Sequence, residues 1–139
     1  MRVDHSSIVF LALALGACGQ QASEAPAPTP SASEQPVAGP ERRILAFGDS
    51  LFAGLGVGME KSYPAQLQAA LREEGINARI ANSGVSGDTT AAGRQRLAFT
   101  LDAQERPPDL VILELGANDM LRALKPEETR ANLTAMLDE

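Results

Sequence analysis

At 139 residues, 44% of them hydrophobic, the chain has room for one domain at most. A net charge of -6 argues against a nucleic-acid partner, since phosphate binding needs Lys and Arg in excess on one face. The absence of tryptophan, with a single tyrosine at Tyr63, argues against an aromatic platform for bases or sugars. A lone cysteine, Cys18, excludes an internal disulfide, and a lone histidine, His5, limits where a base for nucleophilic catalysis can come from.

The first predicted element is an address rather than a fold. Ile8 to Leu15 is an unbroken apolar run. It is far shorter than the roughly 20 residues needed to span a bilayer, and its length fits the core of a secretory signal peptide. Gly16 and Ala17 follow and lead into Cys18. Leu15-Gly16-Ala17-Cys18 resembles the bacterial lipobox. That resemblance implies that residues 1–17 are a lipoprotein signal peptide and that Cys18 is lipidated, holding the protein at a membrane facing the periplasm or the cell exterior. Gly19 after the cysteine resembles outer-membrane sorting. The plainer alternative is a signal peptide with an incidental cysteine. Residues 18–40 then read as a tether. Gly19 to Pro40 is rich in Ala, Pro, Ser, Gln and Glu and has too little apolar surface to fold. Its prolines favour an extended chain at about 3.1 Å per residue, a reach on the order of 60 Å.

Residues 41–139 read as folded. Arg42 to Gly48 is a short apolar run ending in glycine, a buried strand. A loop with Gly54, Gly56 and Gly58 follows. Ser62 is placed to cap a helix with Pro64 in its first turn and Leu67, Ala70 and Leu71 at helical spacing. Gly75 stands where a helix-terminating glycine belongs. Ile76 to Asn82 reads as a second strand and Ser83 to Asp88 as a loop. Thr89 to Gln104 reads as a helix with Leu97 and Leu101 on one face, stopped by Arg106 to Pro108. Asp109 to Leu115 is the clearest strand. Pro126 opens a last helix, with Glu127 and Glu128 favourable to its dipole and Leu133, Met136 and Leu137 as its apolar face.

The order β-α-β-α-β-α predicts an α/β fold, a parallel sheet with helices on both faces. Ligands in such sheets bind beyond the carboxyl ends of the strands. Three loops rich in small and polar residues end there: Gly48-Asp49-Ser50, Ser86-Gly87-Asp88 and Gly116-Ala117-Asn118-Asp119. Ser50, directly after a strand and near a glycine, suits a nucleophile if a base reaches it. Taken alone it is weak evidence, since most loop serines merely hydrogen-bond the local backbone. Gly87 alone is equally a turn glycine, and Asn118 a loop cap. Asp49, Asp88, Glu114 and Asp119 read as structural, tying the loops to backbone N–H groups.

Three blocks in register carry more than any single motif. ILAFGDSLFAGLGV (Ile44 to Val57), NSGVSGDTTAAGRQRL (Asn82 to Leu97) and VILELGANDMLRALKPEET (Val111 to Thr129) resemble the GDSL, or SGNH, hydrolase family, in its thioesterase I, lysophospholipase L1 and arylesterase branch. The resemblance covers nearly everything from residue 43 onward. It implies a flavodoxin-like three-layer sandwich and a serine esterase that hydrolyses carboxylic esters or thioesters of small molecules or lipids through an acyl-enzyme. No cluster of His, Cys, Asp or Glu has metal-ligand spacing, so no metal or other cofactor is expected. The resemblance also implies Ser50 as nucleophile, with the N–H groups of Ser50 and Gly87 and the side-chain amide of Asn118 as oxyanion donors. The family's closing Asp-x-x-His pair has no counterpart here. The expectation is therefore a domain incomplete at its C-terminus, inactive or nearly so by itself. A nucleotide-binding βαβ unit fits less well: Gly54-Leu55-Gly56-Val57-Gly58-Met59 lacks the final glycine of that fingerprint, and no acidic residue ends the second strand. A non-catalytic surface lipoprotein or carbohydrate-binding protein on the same fold is the remaining alternative.

Overall fold

The computed structural model describes residues 36–139; the segment expected to be a signal peptide, Cys18 and most of the expected tether lie outside the described residues. Three strands, β1 (Arg42–Gly48), β2 (Ala78–Gly84) and β3 (Leu110–Glu114), form a wholly parallel sheet in the order β2-β1-β3. The helices are α1 (Ser50–Ala53), α2 (Tyr63–Glu73), α3 (Thr90–Asp102), α4 (Ala117–Leu121) and α5 (Pro126–Leu137), and a 3-10 turn covers Met59–Lys61.

β1 is the central strand, and its pleat sorts side chains between two helical layers. Leu45 and Phe47 are buried on one face against Leu97 of α3 and Met136 of α5, and Leu101, Leu113, Leu115 and Leu133 pack around them. The alternate residues Ile44, Ala46 and Gly48 point to the other face, where α1 and α2 lie and the ring of Phe52 stacks on Tyr63 with centroids 5.5 Å apart. The architecture is the expected α/β arrangement with helices on both faces.

Local chemistry sets the boundaries. Ser62 caps α2, its hydroxyl accepting from Ala65 N–H at 3.4 Å, and Pro64 sits in the first turn, where no helical N–H is needed. Thr89 caps α3 in the same way, accepting from Ala92 N–H at 3.3 Å. Gly75 takes the left-handed conformation, φ +79°, just past the end of α2.

Three details differ from the sequence-based expectation. β2 lies two residues further on than predicted. Asn82, Ser83 and Gly84 are poor strand formers, yet they pair with Ala46, Phe47 and Gly48, because the buried central strand dictates register over propensity. Leu137, assigned to the apolar face of the last helix, is 75% exposed, and Leu133 and Met136 alone face the core. The stretches after β1 and β3, expected to be loops, each begin a short helix, α1 and α4.

Candidate active site

Ser50 is the first residue of α1, immediately beyond the carboxyl end of β1, and is half-buried. Asp49 caps this helix, one carboxylate oxygen accepting from Leu51 N–H at 3.0 Å. Gly54 closes it in the left-handed conformation, φ 85°. Asn82, on β2, donates its amide to the Phe52 carbonyl at 2.6 Å and so holds the far end of the same turn. A one-turn helix has little stability of its own. It persists here because both ends are bonded and its flank lies against Gly84: a Cβ there would stand 2.7 Å from Phe52 C and 2.8 Å from Asp49 O.

The second loop turns tightly after β2, Asp88 N–H donating to the Val85 carbonyl at 3.1 Å. Gly87 has φ +87°, in the left-handed region that favours glycine. Its carbonyl accepts from Arg122 Nη2 at 2.8 Å. The third loop begins α4, and Asn118 stands in its first turn. Asn118 Nδ2 donates to Asp49 Oδ2 at 3.0 Å and to the Asp88 carbonyl at 2.9 Å. One side-chain amide thus ties the Ser50 loop, the Gly87 loop and its own into a single unit at the edge of the sheet. Both amide protons are engaged in this arrangement.

Two buried carboxylates brace the unit. Asp49, 1% exposed, accepts from Leu51 N–H and Asn118 Nδ2, one bond to each oxygen. Asp119, 2% exposed, accepts from Thr90 N–H at 2.8 Å, from the Thr90 hydroxyl, and from the Thr129 hydroxyl at 3.1 Å. Burial opposes ionisation of Asp119, but these three donors outweigh it and hold its pKa below the ordinary aspartate value. Glu114, at the end of β3, accepts from Asp49 N–H at 3.4 Å. Its pKa is raised, first by burial and then by the neighbouring charge of Asp49.

The structure therefore brings Ser50, Gly87 and Asn118 onto three adjoining loops. A further residue, Arg96 of α3, was not legible in the sequence. Its Nε donates to Asp88 Oδ2 at 2.6 Å, its Nη2 donates to the Gly48 carbonyl at 2.9 Å, and its guanidinium lies over the Phe47 ring, 3.8 Å from the centroid. No spacing marks it, because its partners are brought to it by the packing of α3 on β1. Among the described residues there is no histidine, and no group of three or more His, Cys, Asp or Glu is arranged to hold a metal ion.

These features define an α/β domain with a serine-centred polar site at the carboxyl edge of a parallel sheet. Its sequence profile places it: the GDSL-like Lipase/Acylhydrolase family model matches residues 46–139, and the chain belongs to that family. An arylesterase of Vibrio mimicus is 45% identical over 95 residues, 68% of this chain and 46% of the relative. The esterase TesA of Pseudomonas aeruginosa is 43% identical over 93 residues, 67% of this chain and 45% of the relative. Among solved structures, the SGNH-hydrolase family esterase AlinE4 superposes with a TM-score of 0.70 at 61% identity, covering 73% of this chain and 53% of that one. The chain thus spans about half the length of the relatives it matches.

Proposed function

We propose that the protein is a serine ester hydrolase that acts on carboxylic esters or thioesters through an acyl-enzyme on Ser50. The observation that supports this reading is the pair of hydrogen bonds from Asn118 Nδ2 to Asp49 and to the Asp88 carbonyl, which ties the loops carrying Ser50, Gly87 and Asn118 together at one edge. Ser50 Oγ attacks the ester carbonyl carbon and gives its proton to a base. The negative oxygen so formed meets the N–H groups of Ser50 and Gly87 and the Asn118 amide, and each fixed donor of this kind lowers a barrier by roughly 3–4 kcal/mol. Asn118 supplies its proton by trading away the bond to the neutral Asp88 carbonyl, the weaker of its two acceptors; the carboxylate of Asp49 keeps the other. Collapse of the tetrahedral adduct expels the alcohol or thiol, which takes up the proton, and water then releases the acid from Ser50. The base is assigned to an imidazole outside residues 36–139, in the part of the family domain that this chain does not span.

The relatives named arylesterase and esterase support small-molecule esters as the substrate class. Expressed from its complete reading frame, the protein is expected to be labelled by a fluorophosphonate probe, and Ser50→Ala to abolish labelling and hydrolysis together. Asn118→Ala is expected to lower kcat by about 10²–10³ with a smaller effect on KM. Full hydrolysis by a folded Ser50→Ala protein would refute the reading. We further propose that Cys18 carries lipid and anchors the protein at a membrane facing the periplasm or exterior, with the outer membrane favoured by Gly19. Salt washing of membranes should then release Cys18→Ser and leave the wild type bound.

A further inference from the structure

We propose that Arg96 is a positioning residue for the nucleophile, locking the peptide unit that precedes Ser50 and joining it to the oxyanion loop. The inference rests on the serine hydrolase reading above. The Gly48–Asp49 peptide is planar, so its carbonyl and N–H point in opposite directions and turn together. Both ends are held. The Gly48 carbonyl accepts from Arg96 Nη2 at 2.9 Å and from Val85 N–H at 3.0 Å, and the Asp49 N–H donates to Glu114 Oε2 at 3.4 Å. Rotation of this plane changes the direction in which the chain enters α1, and with it the aim of the Ser50 hydroxyl and N–H.

The same guanidinium reaches the second loop. Its Nε binds Asp88 Oδ2 at 2.6 Å, and Asp88, which directly follows Gly87, offers its own carbonyl to Asn118 at 2.9 Å. A rigid planar fork therefore fixes the distance between the nucleophile loop and the loop carrying Gly87, while the face of the Phe47 ring fixes the plane of the fork. The ion pair is largely shielded, with the Arg96 and Asp88 side chains 22% and 13% exposed, so its geometry is not surrendered to solvent. Lysine, a point charge with no fork, cannot hold the Gly48 carbonyl and the Asp88 carboxylate in this fixed relation.

The test uses the protein from its complete reading frame, with Arg96→Lys and Arg96→Ala compared with wild type. Misaiming a nucleophile by an ångström or so costs up to about 100-fold, so Arg96→Lys should lower kcat and the rate of fluorophosphonate labelling of Ser50 by about 10- to 100-fold, with KM within about twofold. Guanidinium ion at millimolar concentration should restore part of the labelling rate of Arg96→Ala and none to wild type. An arginine that merely stabilised the fold would lower Tm and leave kcat of the folded fraction unchanged. Should Arg96→Ala fail to fold, the kcat and labelling rate of Arg96→Lys decide alone. A folded Arg96→Lys protein with kcat and labelling within about twofold of wild type overturns the positioning role. Wild-type protein that neither hydrolyses esters nor takes the probe sinks the hydrolase reading instead, whatever Arg96 does.

Discussion

Glu114 and Asp119 stand within one short stretch of chain, and their environments push them in opposite directions. Asp119 has three donors and a lowered pKa, so the stability it contributes is present above the ordinary aspartate value of 3.8 and is lost as pH falls through the lower folded value. Glu114 has a raised pKa, from burial and from the Asp49 charge, so its contribution is present in full below 4.5 and declines as pH rises through the folded value. At neutral pH the ionised Glu114 therefore weighs against the fold. Glutamine in its place keeps an oxygen for the Asp49 N–H and removes the charge. Glu114→Gln is expected to raise Tm at pH 7 and to lose that advantage below pH 4.5, where wild-type Glu114 is itself neutral. Thermal melts of both proteins across this range check it; an equal or lower Tm for the variant at pH 7 would show that the carboxylate is stabilising where it stands.

The short helices α1 and α4 explain what the sequence could and could not disclose. The long elements were legible because period and caps agree: the run RRILAFG reads as a strand, Ser62 with Pro64 announces α2, and Thr89 announces α3. α1 spans four residues and α4 five, too few for a period to appear, and both exist because tertiary partners hold their ends. Ser50, Gly87 and Asn118, the proposed site residues, stand out through the resemblance of their blocks to a family, and none of them through spacing alone. Arg96 and Gly84 were not legible as parts of the site, because their roles arise from contacts between elements distant in sequence. Gly84 carries a specific expectation. A Cβ there meets backbone atoms of Asp49, Phe52 and Ala53, so α1 must move away from β2. Gly84→Ala is expected to cost about 1–3 kcal/mol, as overpacking does, and to slow labelling of Ser50 in the complete protein as well. Gly56→Ala is the control: its φ is +81° with open space around it, so it should cost about 1–2 kcal/mol through backbone strain alone and leave labelling intact. Urea titration and probe labelling separate the two; Gly84→Ala with wild-type labelling would mean that α1 accommodates the methyl without moving Ser50.

At the scale of the molecule, the proposed chemistry needs a base, and the described residues contain no histidine to supply it. The core around Leu45, Phe47, Leu97 and Met136 fixes β1 between its neighbours, and the Asn118 and Arg96 bonds then tie the three loops at its carboxyl end together. On the far side, β3 is an edge strand of a parallel sheet with Leu110 and Val111 exposed, an arrangement that parallel sheets ordinarily cover. On the proposed reading, Ser50 and its oxyanion donors stand among described residues that contain no histidine, the chain's single one being His5. A serine hydroxyl without a base stays protonated and attacks esters poorly. Fixed oxyanion donors still stabilise whatever tetrahedral adduct forms, and elsewhere they leave a residual rate of about 10³–10⁴ over water when a member of the triad is removed. The 139-residue polypeptide alone is therefore expected to hydrolyse a p-nitrophenyl short-chain ester slowly or not at all, with any residual rate reduced by Asn118→Ala, because the donor acts without the base. Adding imidazole to the assay should raise the rate of the polypeptide more than that of its Ser50→Ala variant, since a diffusing base then accepts the serine proton. Robust turnover by the 139-residue chain, abolished by Ser50→Ala and unaffected by imidazole, would show that one of its own groups serves as base and would overturn the assignment of that role to a residue outside residues 36–139.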